Sequence, residues 1–141
     1  MRKAILSVVI LICMCVHAYA GNEIALQQAK DLARSGKIDE AIKAFDQLIA
    51  TNPKDADLYM MRGYLYNKKN DLEHAIADYS KTIELNPKDG NAYYNRGFNY
   101  LFKKQYPQSL ADMNKAIELG VKVDPTLLEG LKKAYGQQPV V

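Results

Sequence analysis

The residues best suited to chemistry in this sequence are few and widely spaced. His74 is the only histidine after Ala20, and both cysteines, Cys13 and Cys15, lie before it. One histidine without a cysteine cannot build a usual zinc site. The sequence has neither a serine in a nucleophile elbow nor a glycine-rich phosphate loop. We therefore predict that the protein is not an enzyme and has no metal or other cofactor.

Two arginines could bind phosphate or carboxylate groups, but the sequence also offers them partners. Asp78 follows Arg62 by 16 residues, and Asp112 follows Arg96 by the same interval. The two arginines are 34 residues apart (96 − 62 = 34). The positions 34 residues before Arg62 and Asp78 both hold uncharged residues, so the two charges are absent together there. We assign these four residues to structural ion pairs. If partly exposed, each pair contributes no more than about 1 kcal/mol.

One fixed interval recurs along the chain. The tetrapeptide Asn-Pro-Lys-Asp at residues 52–55 returns at residues 86–89, and Gly63 returns as Gly97 (86 − 52 = 97 − 63 = 34). A fixed period of this length is typical of repeat proteins. It divides the chain into three units, residues 22–55, 56–89 and 90–123.

Each unit is predicted to form two amphipathic helices, A and B, joined by a tight turn. Helix A carries a small residue at one shared position, which holds Ala29, Gly63 and Gly97 in the three units. Glycine inside a helix costs about 1 kcal/mol relative to alanine. Its presence therefore indicates that helix B crosses too closely for a side chain. Residues 124–136 are predicted to form a terminal capping helix, and residues 137–141 a frayed tail.

The N-terminal segment, residues 1–20, resembles a signal peptide. Arg2 and Lys3 precede an apolar run at residues 4–16, and Ala18 and Ala20 occupy the two positions that a signal peptidase reads. The run is shorter than the roughly 20 residues of a spanning helix. We expect cleavage after Ala20 and export to the periplasm or the cell exterior. The alternative is a retained segment that tethers the protein to the membrane.

Composition indicates a globular protein, with 48% hydrophobic and 25% charged residues. Without Arg2 and Lys3, 17 basic side chains (19 − 2) stand against 16 acidic ones. Nucleic-acid binding requires a concentrated basic face. The charge balance therefore gives no reason to expect a nucleic-acid partner.

The repeated unit resembles the tetratricopeptide repeat family. The family motif places aromatic, glycine, alanine and proline residues along 34 positions, and the second unit carries them as Tyr59, Gly63, Tyr66, Ala75, Tyr79 and Pro87. The third unit has Tyr93, Gly97, Tyr100 and Ala116, and the first has Ala41, Phe45 and Pro53. The resemblance implies an all-α fold, a right-handed α-solenoid of three helix-turn-helix repeats followed by the C-terminal capping helix.

The resemblance also implies a function in protein–protein or protein–peptide binding. In this family the A helices line a concave groove, which in this chain gives the candidate binding residues Met60, Tyr64, Asn67, Tyr94, Asn95, Phe98 and Leu101. Some of the aromatic residues would instead belong to the core between repeats. The alternatives to peptide binding are a structural subunit of an envelope assembly, including a homo-oligomer, and the membrane-tethered adaptor. The identity of the partner stays open.

The third A helix is apolar on two sides. Tyr93, Gly97 and Tyr100 account for its core side, while Tyr94, Phe98, Leu101 and Phe102 follow at helical spacings on another. Such a helix needs a second burial surface. Either the terminal helix covers these residues, or a partner does.

Overall fold

The computed structural model describes residues 21–136, so the predicted signal peptide and tail lie outside the described residues. Residues 21–136 contain helices and no strand. The helices are α1 (residues 21–34), α2 (Ile38–Thr51), α3 (Ala56–Lys68), α4 (Leu72–Leu85), α5 (Gly90–Phe102), α6 (Tyr106–Glu118) and α7 (Pro125–Gly136). Within this part of the chain, no helix is both long and apolar enough to cross a bilayer.

The described chain forms two compact units, one ending at Pro53 and the other beginning at Lys54. The first unit contains α1 and α2, with Phe45 in its core. Ala29 on α1 and Ala41 on α2 are both fully buried. Ala29 was predicted to lie where helix B crosses closely, and its burial agrees with that prediction.

The second unit contains two helix hairpins, α3–α4 and α5–α6, and the terminal helix α7. A Cβ atom added at Gly63 would lie 2.9 Å from Cε1 of Tyr79 on α4. At Gly97 it would lie 3.0 Å from Cβ of Asp112 and 3.2 Å from the carbonyl oxygen of Ser109, both on α6. The prediction that these glycines mark the closest approach of helices A and B is confirmed.

Aspartate side chains cap the N-termini of α3, α4 and α5 in the second unit. The carboxylate of Asp55 accepts a hydrogen bond from the N–H of Asp57 at 3.0 Å, and Asp71 accepts from the N–H of His74 at 3.3 Å. Asp89 accepts from two backbone N–H groups at the start of α5. These side chains satisfy N–H groups that the first helical turn leaves without a partner.

The three turns that join helix A to helix B share one backbone conformation. Gly36, Asn70 and Lys104 occupy the same position of the three repeats and have φ values of 81°, 60° and 58°. In each turn the N–H of this residue donates to the carbonyl three residues earlier, and the next N–H donates to the carbonyl five residues earlier, at 2.8–3.3 Å. This is the Schellman motif, which usually ends in glycine or asparagine. Lysine at this position is therefore unusual.

The terminal helix α7 contacts α6. Asp124 precedes it and accepts a hydrogen bond from the N–H of Thr126 at 2.8 Å. Leu131 is the buried residue of α7, whereas Tyr135 is 47% exposed. The helix is thus held through a narrow surface.

Candidate functional site

The two predicted ion pairs are present as two-point contacts between helices A and B. Arg62 donates to Asp78 through Nε at 2.8 Å and through Nη2 at 2.6 Å. Arg96 donates to Asp112 through the same two nitrogens, each at 2.8 Å. The aspartate side chains are only 6% and 8% exposed, and each arginine side chain is 19% exposed. The pairs are therefore mostly buried.

Each arginine also lies over two tyrosine rings of its own helix. The guanidinium carbon of Arg96 is 5.7 Å from the ring centre of Tyr93 and 5.9 Å from that of Tyr100, within the range of a cation–π contact. Arg96 Nη1 donates to Ser80 Oγ on α4 at 3.0 Å. The hydrogen bonds with Asp112 raise the pKa of Arg96 above its ordinary value. These contacts hold Arg96 against side chains of α4, α5 and α6.

His74 has a structural position at the start of α4. Its Nδ1 lies 2.8 Å from Oδ2 of Asp71, and its ring stacks on Tyr66 with 4.9 Å between the ring centres. The hydrogen bond with His74 lowers the pKa of Asp71. Among residues 21–136 there is no group of three or more histidine, cysteine or acidic side chains that could hold a metal ion.

Three of the predicted groove residues lie where α3 and α5 meet. Asn95 Nδ2 donates to the sulfur of Met60 at 3.8 Å. Asn67 is engaged twice: its oxygen accepts from Asn99 Nδ2 at 2.7 Å, and its own Nδ2 donates to the hydroxyl of Tyr79 at 3.0 Å. Both atoms of the Asn67 amide therefore already bond inside the protein, which fixes the orientation of its side chain.

Asn99 was not among the predicted site residues, although it links the two A helices. It is 1% exposed, and the residue 34 positions earlier is Leu65, which is also buried. The signal was a polar residue at an apolar position of the repeat. Burial also raises the pKa of Tyr79, so that its hydroxyl remains protonated and neutral in this network over the ordinary pH range.

Three of the remaining predicted residues are aromatic: Tyr64 lies on α3, and Tyr94 and Phe98 lie on α5 beside Phe102. The rings of Tyr94 and Phe98 stack with 6.2 Å between their centres, and Phe98 meets Phe102 edge to face at 4.9 Å. Phe102 is 63% exposed and Tyr64 on α3 is 54% exposed. Leu101 is half-buried. We call Tyr64, Tyr94, Phe98 and Phe102 the aromatic face.

The last described helix, α7, does not cover all of the aromatic face. The sequence left two ways to cover the second apolar side of α5, the terminal helix or a partner. Phe102 stays exposed although α7 is in place. Exposed aromatic residues grouped on one surface are typical of sites that bind another molecule.

Models of one family match most of the described chain. Two models, both described as tetratricopeptide repeat, match residues 26–90 and residues 90–119. A comparison with curated proteins gives no significant match.

Solved structures of similar fold include domains of the same kind. The first such domain of Spaghetti (RPAP3), bound to the HSP90 peptide SRMEEVD, is 19% identical, with 82% of this chain and 94% of that chain covered and a TM-score of 0.76. The TPR2B domain of yeast Sti1, in complex with pHsp70, is 26% identical, with 83% and 98% covered and a TM-score of 0.70.

A third similar structure is a secretion chaperone. It is the Yersinia enterocolitica type III secretion chaperone SycD in complex with a peptide of the translocator YopD, 20% identical, with 81% and 86% covered and a TM-score of 0.68. The helix hairpins, the repeat period and the family models agree. The chain belongs to the tetratricopeptide repeat family.

Proposed function

We propose that the protein is a non-enzymatic binding module that holds a peptide segment of a partner protein on the aromatic face of α3 and α5. The observation that carries this proposal is the exposure of Phe102 beside the stacked rings of Tyr94 and Phe98, together with the exposure of Tyr64 on α3. Binding energy in protein interfaces is concentrated in a few aromatic anchors of this kind.

The similar structures support a peptide as the ligand. The Spaghetti domain is bound to an HSP90 peptide, and SycD is in complex with a peptide of YopD. Their sequence identity to this chain is low, so they support the class of ligand and not its sequence.

Site-specific photocrosslinking tests the proposal. A photoreactive phenylalanine at position 64, in place of an exposed tyrosine of the aromatic face, should crosslink to a partner in extracts of the source cells. The same residue at Ala77, which is exposed on α4, provides the matched control. Equal crosslinking from position 77, or none from position 64, would contradict binding on the aromatic face.

We also propose that the protein acts after export. The proposal rests on the charged start, the apolar run and the small residues before Gly21. N-terminal sequencing of protein recovered outside the cytoplasm should begin at Gly21. A chain that begins at Met1 would instead favour the membrane-tethered adaptor.

A further inference from the structure

The aromatic face is bordered by lysines at the carboxyl ends of α3 and α5, the two A helices that carry it. Lys68 is the last residue of α3, and Lys104 lies in the turn after α5. Both side chains are exposed. The opposite end of the face differs, because Asp57 is exposed there in the first turn of α3. One end of the face therefore carries two exposed lysines, whereas the other end carries Asp57 together with Lys88 in the turn before α5.

The two lysines are available to a ligand. Lys103, between Phe102 and Lys104, already forms an ion pair with Glu73. Within residues 21–136, Lys68 and Lys104 have no ion pair; Lys68 lies over the exposed ring of Tyr64, with 5.2 Å from its nitrogen to the ring centre. A cation next to an exposed aromatic ring can contact a carboxylate while the ring contacts an apolar side chain.

Lys104 occupies a position that disfavours it. The equivalent residues of the two earlier turns are Gly36 and Asn70, and all three have left-handed backbone angles and the same hydrogen bonds. Left-handed backbone is unfavourable for a residue with a Cβ atom, and glycine and asparagine are the residues that tolerate it best. Strain of this kind is often found at functional positions. The side chain of Lys104 is therefore one to test for a role in binding.

We propose that the segment bound on the aromatic face is acidic, with aspartate or glutamate side chains contacting Lys68 and Lys104 and apolar side chains packing on Tyr64, Phe98 and Phe102. This inference rests on the proposed function and specifies its ligand. The acidic residues of the bound segment lie at the lysine end of the face and point away from Asp57, because opposite charges attract and like charges repel.

The first part of the test identifies a ligand. A phage library of random dodecapeptides, fused at their carboxyl ends so that no terminal carboxylate is free, is selected on the purified full-length chain. We expect the selected peptides to combine apolar or aromatic residues with an excess of aspartate and glutamate. A library that yields no binder, or binders without acidic excess, overturns the proposal.

The second part uses the selected peptide, synthesised with an amidated carboxyl end. Lys68→Ala and Lys104→Gly should each weaken its binding about threefold at low salt, with a smaller effect at high salt, as expected for exposed charges. Lys104→Gly should at the same time raise Tm by roughly 3 °C, because the backbone strain is relieved. Weaker binding in a more stable protein separates a role in recognition from a role in folding.

Two variants serve as matched controls. Asn70→Gly changes the same turn position in the preceding repeat, and Lys88→Ala removes an exposed lysine from the turn before α5. Neither should weaken binding. Equal losses in Lys88→Ala and Lys104→Gly would show that only net charge matters and would overturn the proposal. Peptides that depend on Phe98 but not on the two lysines would leave the proposed function standing and remove the acidic ligand.

Discussion

Replacing Asp112 with alanine should lower the free energy of unfolding by about 3 kcal/mol, because it leaves the charge of Arg96 mostly buried without its carboxylate. The size of the expected loss follows from burial. An exposed ion pair contributes no more than about 1 kcal/mol, which was the expectation from the sequence alone, whereas Asp112 is 8% exposed. Chemical denaturation followed by circular dichroism measures the change.

A double variant separates the charge from the packing. Arg96→Met with Asp112→Leu removes both charges and keeps apolar volume between α5 and α6. We expect it to unfold within about 1.5 kcal/mol of the original protein, since replacing a buried pair by apolar residues is often neutral. If Asp112→Ala costs less than about 1 kcal/mol, the pair behaves as an exposed one and its assigned structural role is wrong.

Replacing Tyr94 and Phe98 together with alanine should weaken capture of the partner by roughly 1,000-fold, because each anchor of an interface is worth about 2 kcal/mol or more on truncation. The two rings stack on each other and are half-buried. Circular dichroism and the melting temperature must therefore show that the variant is folded. Binding is then measured with the crosslinked partner or with a selected peptide.

The control for this variant removes apolar side chains from another surface. Ile117 on α6 and Tyr135 on α7 are 42% and 47% exposed and lie outside the aromatic face. Their double replacement with alanine should leave capture unchanged. If capture by a folded Tyr94→Ala, Phe98→Ala variant is undiminished, binding does not involve the aromatic face and must be sought on the B helices or at the helix ends.

Much of the fold was predictable because the same structural residues occur in the sequence of more than one repeat. The repeat period predicted two helices in each of three units, and the structure has them as α1 to α6. The shared intervals in sequence also identified Arg62 and Arg96 with their aspartates. These features join residues of one repeat at a fixed separation of 16, as in the pair of Arg62 and Asp78, and so a repeat shows them twice.

The site was less predictable because it depends on whether other helices of the protein cover its residues. Periodicity showed that α5 has two apolar sides, but it could not show that Phe102 remains exposed when α7 is in place. Similarly, Asn67 was predicted to contact a partner because of its position in the repeat. Only the distance of 2.7 Å to Asn99, at a sequence separation of 32, reveals an internal bond.

The hydrogen bond between Asn67 and Asn99 also restricts which repeats can be added to this protein by duplication. The two repeats from Lys54 onward have different residues at these positions: the equivalent of Asn67 in the later repeat is Leu101, and the equivalent of Asn99 in the earlier one is Leu65. A duplicated copy of the later repeat, stacked on the original in the same way, would set its buried asparagine amide against a leucine. An unpaired buried amide costs about 1–3 kcal/mol. Gene duplication or shuffling of these modules would therefore be penalised, and one amide pair specifies the order of the two repeats.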